Sequence, residues 1–361
     1  MGIIMKFYAT EDKVKITGRT IFRQNIRYLG YSTSSVSFTF TGKSAQVTFI
    51  SDPDSFPAEH KAWVAIFVDS NTEPAKRFPL TKSKETIEIY HSEEEKEVTL
   101  TIMKYSEPEY AVCGIGEITI DTDNLLAPPA SKSRKIQIIG DSITCGYGNE
   151  GKLSDVIHDT TFENPMKSYS GLLMRALDAD AEYIAWNGKG VITSFIGDED
   201  EIDDSWLIPM LYQYTDAGLC HQYFHEPKEE WERWDEKNFR PDLITVYLGT
   251  NDASYTKEIP ERNAVFGKAY ENFLTDIHTK QPQAKILCML GTMDQRLCPT
   301  VEEAVSSFKN HNPDVDIAYL HLPMQDEEQD GLGTFWHPTV STHAKQADLI
   351  IARAKQLMNW N

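Results

Sequence analysis

The hydrophobic rhythm of the chain changes once, near residue 127, and this change constrains the fold more than any other feature. Before it, β-branched and aromatic residues come in short runs at 14–16, 36–40, 46–50, 63–68, 86–90, 98–102 and 116–120. Several of these runs alternate with a period of two, the pattern of a half-buried strand. Turn-forming stretches such as Thr41-Gly42-Lys43 and Asp52-Pro53-Asp54 separate some of them. No long helical period occurs there. About seven or eight short strands in roughly 125 residues predict an all-β sandwich of jelly-roll type over residues 1–127.

The stretch 128–133, Pro-Pro-Ala-Ser-Lys-Ser, reads as a stiff polar linker. Beyond it, over 134–361, strand and helix patterns alternate. Strands are expected at 136–139, 183–186, 242–248, 285–290 and 315–320, and helices at 168–177, 262–279, 301–309 and 342–358. Such alternation predicts a parallel sheet with helices on both faces, a three-layer α/β domain. The acidic and aromatic segment 195–239 interrupts it. It is expected either as an inserted helical excursion or as loops over the active edge of the sheet. Most of its aromatic residues should pack, leaving one or two to line a substrate site.

Composition excludes several functions. The 361 residues carry 35 Lys+Arg against 55 Asp+Glu, a net −20, so the chain should repel nucleic-acid phosphates and anionic membrane surfaces. Five scattered cysteines, with no C-x-x-C pair, argue against a disulfide framework or a zinc ribbon. The first residues show no apolar run of signal-peptide length, and the expected compartment is the cytoplasm.

Ligands of open α/β sheets bind outside the carboxyl ends of the strands. The residues that follow the expected strands are Gly140-Asp141-Ser142-Ile143-Thr144, then Asn187-Gly188-Lys189-Gly190, then Gly249-Thr250-Asn251-Asp252. The fifth strand leads into a long loop ending Thr334-Phe335-Trp336-His337-Pro338. A serine, glycine N–H groups, a side-chain amide and a histidine are the parts acyl transfer needs. Each alone is weak evidence, since Gly-Asp-Ser and Gly-x-Asn-Asp are common turns. Four in order, each after a strand, are not a chance set.

These elements resemble blocks I, II, III and V of the SGNH (GDSL-type) hydrolases. The run Ile139-Gly140-Asp141-Ser142-Ile143-Thr144-Cys145-Gly146-Tyr147-Gly148, with Gly188-Lys189-Gly190 and a preceding β-sandwich, is similar to carbohydrate esterase family 2, of acetyl xylan esterase type. The resemblance implies a serine esterase that removes O-acetyl groups from plant-polysaccharide sugars, with an acetylated carbohydrate as partner and no cofactor or metal. It implies Ser142 as nucleophile and His337 as general base. The implied oxyanion hole comprises the Ser142 N–H, a block II glycine N–H and the Asn251 amide. Gly188 and Gly190 both fit block II, and spacing alone does not choose between them.

The chain departs from the family at one point. Block V usually carries an acid three residues before its histidine, and here Thr334 stands there. Either Asp330 is brought round as the third member, or a main-chain carbonyl near Trp336 accepts the Nδ1–H of His337. His343 is a rival base, expected inside the terminal helix. Trp336 and Trp206 are candidate substrate contacts. His221 and His225 have metal-compatible spacing but no third ligand at a recognisable interval, so they are expected as an ordinary pair.

Overall fold

The computed structural model describes residues 4–360. Contacts divide the chain into two compact units. One holds the described residues through Ser131 together with Asp159–Thr161 and Thr215–Glu232. The other holds Lys132–His158, Phe162–Tyr214 and the chain from Arg233 onward. These units do not follow the contiguous ranges 1–127 and 134–361, because two short segments pack with the β unit. Thr160 donates its hydroxyl to the Glu59 and Lys61 carbonyls, both at 2.9 Å. Tyr223 and Phe224 set their rings against Tyr28 at 5.5 and 5.2 Å.

The β unit is antiparallel. Its strands are β1 (Met5–Phe7), β2 (Lys15–Thr17), β3 (Thr20–Arg23), β4 (Ile26–Leu29), β5 (Ser35–Ile50), β6 (Trp63–Val68), β7 (Lys76–Pro79), β8 (Lys84–Lys104) and β9 (Cys113–Ile120). They run in the order β3-β4-β9-β5-β8-β6-β7, with β1 on β9 and β2 on β5. Two long strands tie the unit together. The first half of β5 pairs with β2 and the second half with β9, while β8 follows it along both. Register shifts at Gly42/Ser44 and Ala45/Gln46 bend β5 between those halves. The sheet curls over its own core as an antiparallel half-barrel, with the two halves of β5 on facing layers of a β-sandwich. Phe7 meets Phe38 edge-on at 5.6 Å, and Phe40 meets Tyr90 at 6.1 Å.

Two expectations are corrected here. Thr41-Gly42-Lys43 is no turn but the bend inside β5, so runs 36–40 and 46–50 are one strand. Runs 86–90 and 98–102 likewise merge into the 21-residue β8, which carries Glu93-Glu94-Glu95. The β3–β4 hairpin carries no strong sequence signal, because its turn is Gln24-Asn25 without glycine. Both residues have positive φ, 52° and 62°, as a two-residue hairpin turn matching strand twist demands.

The second unit carries a parallel sheet of β10 (Arg134–Gly140), β11 (Ala179–Ala185), β12 (Leu243–Tyr247), β13 (Lys285–Leu290) and β14 (Ile317–His321). Their order is β11-β10-β12-β13-β14. Every residue of β11 and β12 is buried, as a sheet covered on both faces requires. Its helices are α1 (Ser142–Cys145), α2 (Tyr169–Ala176), α3 (Ile208–Leu211), α4 (Ala253–Thr256), α5 (Pro260–Lys280), α6 (Cys298–His311), α7 (Glu327–Asp330) and α8 (Val340–Met358). Helices α2 and α8 pack together, as do α5 and α6, giving the three-layer architecture. The chain leaves β10 toward β11 on one side and returns to β12 on the other. The crevice at such a switch point lies at the carboxyl end of β10.

Candidate active site

Ser142 is the residue at that crevice. Gly140 closes β10, and a Cβ there would meet Thr144 Oγ1 at 2.0 Å and the Tyr247 carbonyl at 3.3 Å, so only glycine fits. Asp141 then caps α1, its Oδ1 accepting the Ile143 N–H at 3.0 Å. The cap places Ser142 at the first helical position, where N–H groups point outward and the helix end is positive. Gly146, at φ 76°, ends the helix after one turn.

His337 reaches Ser142 from the loop before α8. Its Nε2 lies 2.8 Å from Ser142 Oγ. Its Nδ1 faces two main-chain carbonyls, Thr334 O at 3.1 Å and Phe335 O at 3.0 Å. An Nδ1–H shared between two acceptors leaves Nε2 with a lone pair toward the serine, the tautomer a base needs. Burial pulls the imidazole pKa down from 6.5 to about 4, against the raising effect of both carbonyls, with His158 lowering it further. The loop is held by close backbone approach. A Cβ on Gly333 would meet the Gly148 carbonyl at 2.5 Å, and one on Gly148, at φ 60°, would meet Thr334 Cβ at 2.8 Å. Phe335 and Trp336 both sit in the left-handed region, at φ 49° and 62°, which costs on the order of 1–3 kcal/mol per non-glycine residue.

Asp330 is not at the histidine, which corrects its candidacy as third member. Its carboxylate accepts from Ser341 Oγ at 2.6 Å and Lys345 Nζ at 2.7 Å, on the first turns of α8. These partners hold its pKa below the ordinary value. Thr334, in the usual acid's place, is fully buried and contributes its carbonyl instead. The rival His343 lies within α8, buried, with Nδ1 accepting the Tyr169 N–H at 3.1 Å.

Across from Ser142, Asn251 Nδ2 donates to the Lys189 carbonyl at 3.1 Å and to Asp141 Oδ2 at 3.3 Å. Gly190 is buried, and a Cβ on it would meet the Thr193 carbonyl at 2.4 Å and Asp252 Oδ2 at 2.5 Å. Gly188 has open space around it and needs glycine only for its φ of 71°. In the sequence Asp252 reads only as part of a turn. In the structure it is fully buried and gathers the N–H groups of Val191 at 2.9 Å, Ile192 at 2.8 Å and Thr193 at 3.3 Å. Burial pushes its pKa up to about 6 despite those donors, and that of Asp141 to about 7.

Three further residues escaped the sequence reading. Tyr147 lies 4.4 Å from the His337 ring and stacks on His158 at 3.7 Å. His158 in turn bonds the fully buried Glu163 at 3.0 Å. An i, i+5 His–Glu spacing in a loop carries no signal of its own. Of the two tryptophans, Trp336 is 59% exposed beside His337, whereas Trp206 is half-buried against Trp186 at 5.5 Å. His221 and His225 are exposed, and no group of three or more metal-ligating side chains occurs among the described residues. The five cysteines are buried and unpaired with one another.

A hydrogen-bonded serine and histidine stand at the switch point of an open parallel sheet, beside a loop tied back to a buried carboxylate, an arrangement suited to acyl transfer. The chain belongs to the GDSL-like Lipase/Acylhydrolase family, whose model matches residues 138–345; residues 16–129 match the family described as Carbohydrate esterase 2 N-terminal. It is similar to the Cellulase/esterase CelE of Acetivibrio thermocellus, 29% identical over 336 residues, covering 91% of this chain. The chain spans 38% of the length of that relative. It is 26% identical to an Acetylxylan esterase / glucomannan deacetylase of Cellvibrio japonicus over 98% of this chain and 91% of that one. Among solved structures, a family two carbohydrate esterase from Clostridium thermocellum in complex with cellohexaose superposes with TM-score 0.81 at 29% identity, covering 96% of this chain and all of the other.

Proposed function

We propose that this chain is a metal-independent serine esterase that removes O-acetyl groups from plant-polysaccharide sugars of xylan or mannan type. The observation that carries the reading is the 2.8 Å bond between His337 Nε2 and Ser142 Oγ at the carboxyl end of β10. In this mechanism His337 takes the Ser142 proton as Oγ attacks the acetyl carbonyl. It returns that proton to the departing sugar oxygen, leaving an acetyl-serine that water hydrolyses by the same route. The Thr334 and Phe335 carbonyls fix the tautomer of the neutral imidazole and hold the imidazolium that forms, so the base works as a Ser–His dyad.

The negative oxygen of the tetrahedral intermediate is assigned to the N–H groups of Ser142 and Gly190 and to Asn251 Nδ2. Gly190 is preferred to Gly188 because Gly190 adjoins the three N–H groups that Asp252 holds in place. The 3.3 Å Asn251–Asp141 bond is long, and its hydrogen is the one assigned to the oxyanion. Trp336, exposed beside His337, offers a face for a sugar ring. The names of the esterase relatives support the substrate class.

The test measures acetate released from acetylated xylan and acetylated glucomannan against long-chain esters of 4-nitrophenol. The expected result is turnover of the acetylated polysaccharides and of 4-nitrophenyl acetate with no activity on long chains. Faster turnover of long-chain esters overturns the substrate class.

A further inference from the structure

The β unit contains a cleft that the ester chemistry does not use. It has a volume of about 1000 Å³, at the upper end of small-molecule pockets, and every residue lining it belongs to that unit. Its wall combines aromatic side chains with hydrogen-bonding groups. Phe56, Tyr223 and Trp231 supply the former; Asp52, His221 and Gln222 supply the latter. Behind it a narrow recess, sharing Asp52, Phe56, Gln222 and Tyr223 as walls, reaches Lys104 and Asp216.

Three local features mark the cleft as built. Leu219–Tyr223 forms a π-helix, a rare geometry that concentrates at functional positions. His225, on the lining, is held at φ 55°. The floor contains charge that burial ordinarily forbids: Lys104 is 2% exposed and Asp216 3%. Lys104 Nζ donates to the Gly30 carbonyl at 2.7 Å. Gly30 must be glycine, because a Cβ there would meet Asp216 Oδ2 at 2.2 Å. Asp216 Oδ1 also accepts the Leu219 N–H at 2.9 Å, which ties the start of the π-helix that carries His221, Gln222 and Tyr223.

We infer that this cleft is a second saccharide-binding site, taking a segment of neutral polysaccharide alongside the ester-cleaving site. A sugar ring presents C–H faces to aromatic rings and hydroxyl edges to carboxylate, imidazole and amide groups, the combination that lines this wall. Asp52 and Glu226 line the cleft against Lys228 as its lysine, on a chain of net charge −20, so anionic ligands are disfavoured. The inference rests on the carbohydrate reading above for its choice among neutral ligands.

The experiment is native affinity electrophoresis of the full chain in gels containing deacetylated glucomannan, xylan or polygalacturonate. Compared are the unaltered protein, Trp231→Ala, the exposed double variant His221→Ala/Gln222→Ala, and Trp336→Ala. Loss of aromatic and polar contacts is expected to weaken retardation by the neutral polymers about five- to tenfold in the cleft variants. Their kcat/KM on 4-nitrophenyl acetate should stay unchanged, and Trp336→Ala should keep the cleft-dependent retardation. The double variant covers the case that Trp231→Ala fails to fold. The inference is overturned if the double variant is retarded like the unaltered protein, or if Trp336→Ala alone abolishes retardation. It is equally overturned if no neutral polymer retards the chain or polygalacturonate does so more strongly. If acetylated polysaccharide yields no acetate while the cleft variants lose retardation, the proposed activity fails and the second site stands.

Discussion

The two sides of the proposed site are anchored by different chemistry. On the oxyanion side, the loop after β11 is gathered by one buried carboxylate: Asp252 accepts three consecutive N–H groups from Val191, Ile192 and Thr193. On the histidine side, no carboxylate reaches the imidazole among the described residues; two carbonyls do, from a loop with two residues in the left-handed region. A carboxylate with three donors is a stiff clamp, because charge-assisted bonds are about twice as strong as neutral ones. A carbonyl offers only a dipole to a charged imidazole. Orientation of the donors is thus secured by charge, whereas orientation of the base is secured by backbone geometry.

The largest effect breaks the link between the sides. Ser142→Ala removes the nucleophile whose proton His337 takes and should cut kcat on 4-nitrophenyl acetate by about 10⁴–10⁶-fold with the fold unchanged. Retention of more than a few per cent of activity would sink the nucleophile assignment. Next comes the stiff side. Asn251→Ala should cost about 10²–10³-fold in kcat as one oxyanion donor disappears. Asp252→Asn should cost roughly 10²-fold by loosening the loop that carries Gly190, with KM nearly unchanged. If it raises KM and spares kcat, Asp252 acts on substrate binding and the clamp idea fails.

Most of the fold and part of the site can be read from residues alone, and the omissions have physical reasons. Strand–helix alternation is a local pattern, and helices expected at 262–279 and 342–358 appear as Pro260–Lys280 and Val340–Met358. Ser142, Asn251 and His337 were legible because each side chain follows a strand in a recognisable motif, and the structure brings them to one crevice. The bend in β5 was not, since a Thr-Gly-Lys triplet serves a turn and a bulge equally well. Segment 215–232 joins the β unit through ring packing on Tyr28, a tertiary contact that leaves no periodic trace. Asp252 hid inside a Gly-x-Asn-Asp turn, where an aspartate is already explained. The carbonyls on His337 could not be seen at all, because every residue has one.

The flexible side is sharpened by pH. A free histidine base would give a rate rising through about pH 6.5. Burial instead pulls His337 to about 4, so it stays neutral and competent well below the ordinary range. The sign follows directly: the protonated form is inactive, a lowered pKa shrinks its pH range, and activity extends toward acid. In the Asp252→Asn variant, the clamp that titrates at about 6 no longer does so, and the pH profile of kcat/KM on 4-nitrophenyl acetate should lose activity only on approaching pH 4. The unaltered protein should show an additional fall near 6 as Asp252 protonates. An inflection near 6.5 in that variant would show the imidazole to be more hydrated than its burial implies. Replacing the neighbouring His158 by Gln should raise the inflection, because His158 is one of the groups holding it down.

The smallest expected effect is the most informative about how the base is held. Asp330→Asn should change kcat by no more than a few-fold. Where a carboxylate orients a catalytic histidine, amidation selects the wrong tautomer and costs about 10⁴-fold. Here the Asp330 carboxylate is committed to Ser341 and Lys345, and the Nδ1–H is committed to Thr334 and Phe335. Amidation therefore leaves the tautomer untouched and weakens only the ion pair of Asp330 with Lys345. The readout is kcat beside the pH inflection of His337. A dyad predicts that both hold steady, with a slight loss of thermal stability from the start of α8. A loss of a thousandfold or more, with circular dichroism unchanged, would mean that the loop rearranges during turnover to deliver Asp330. Both sides of the site would then be anchored by charge.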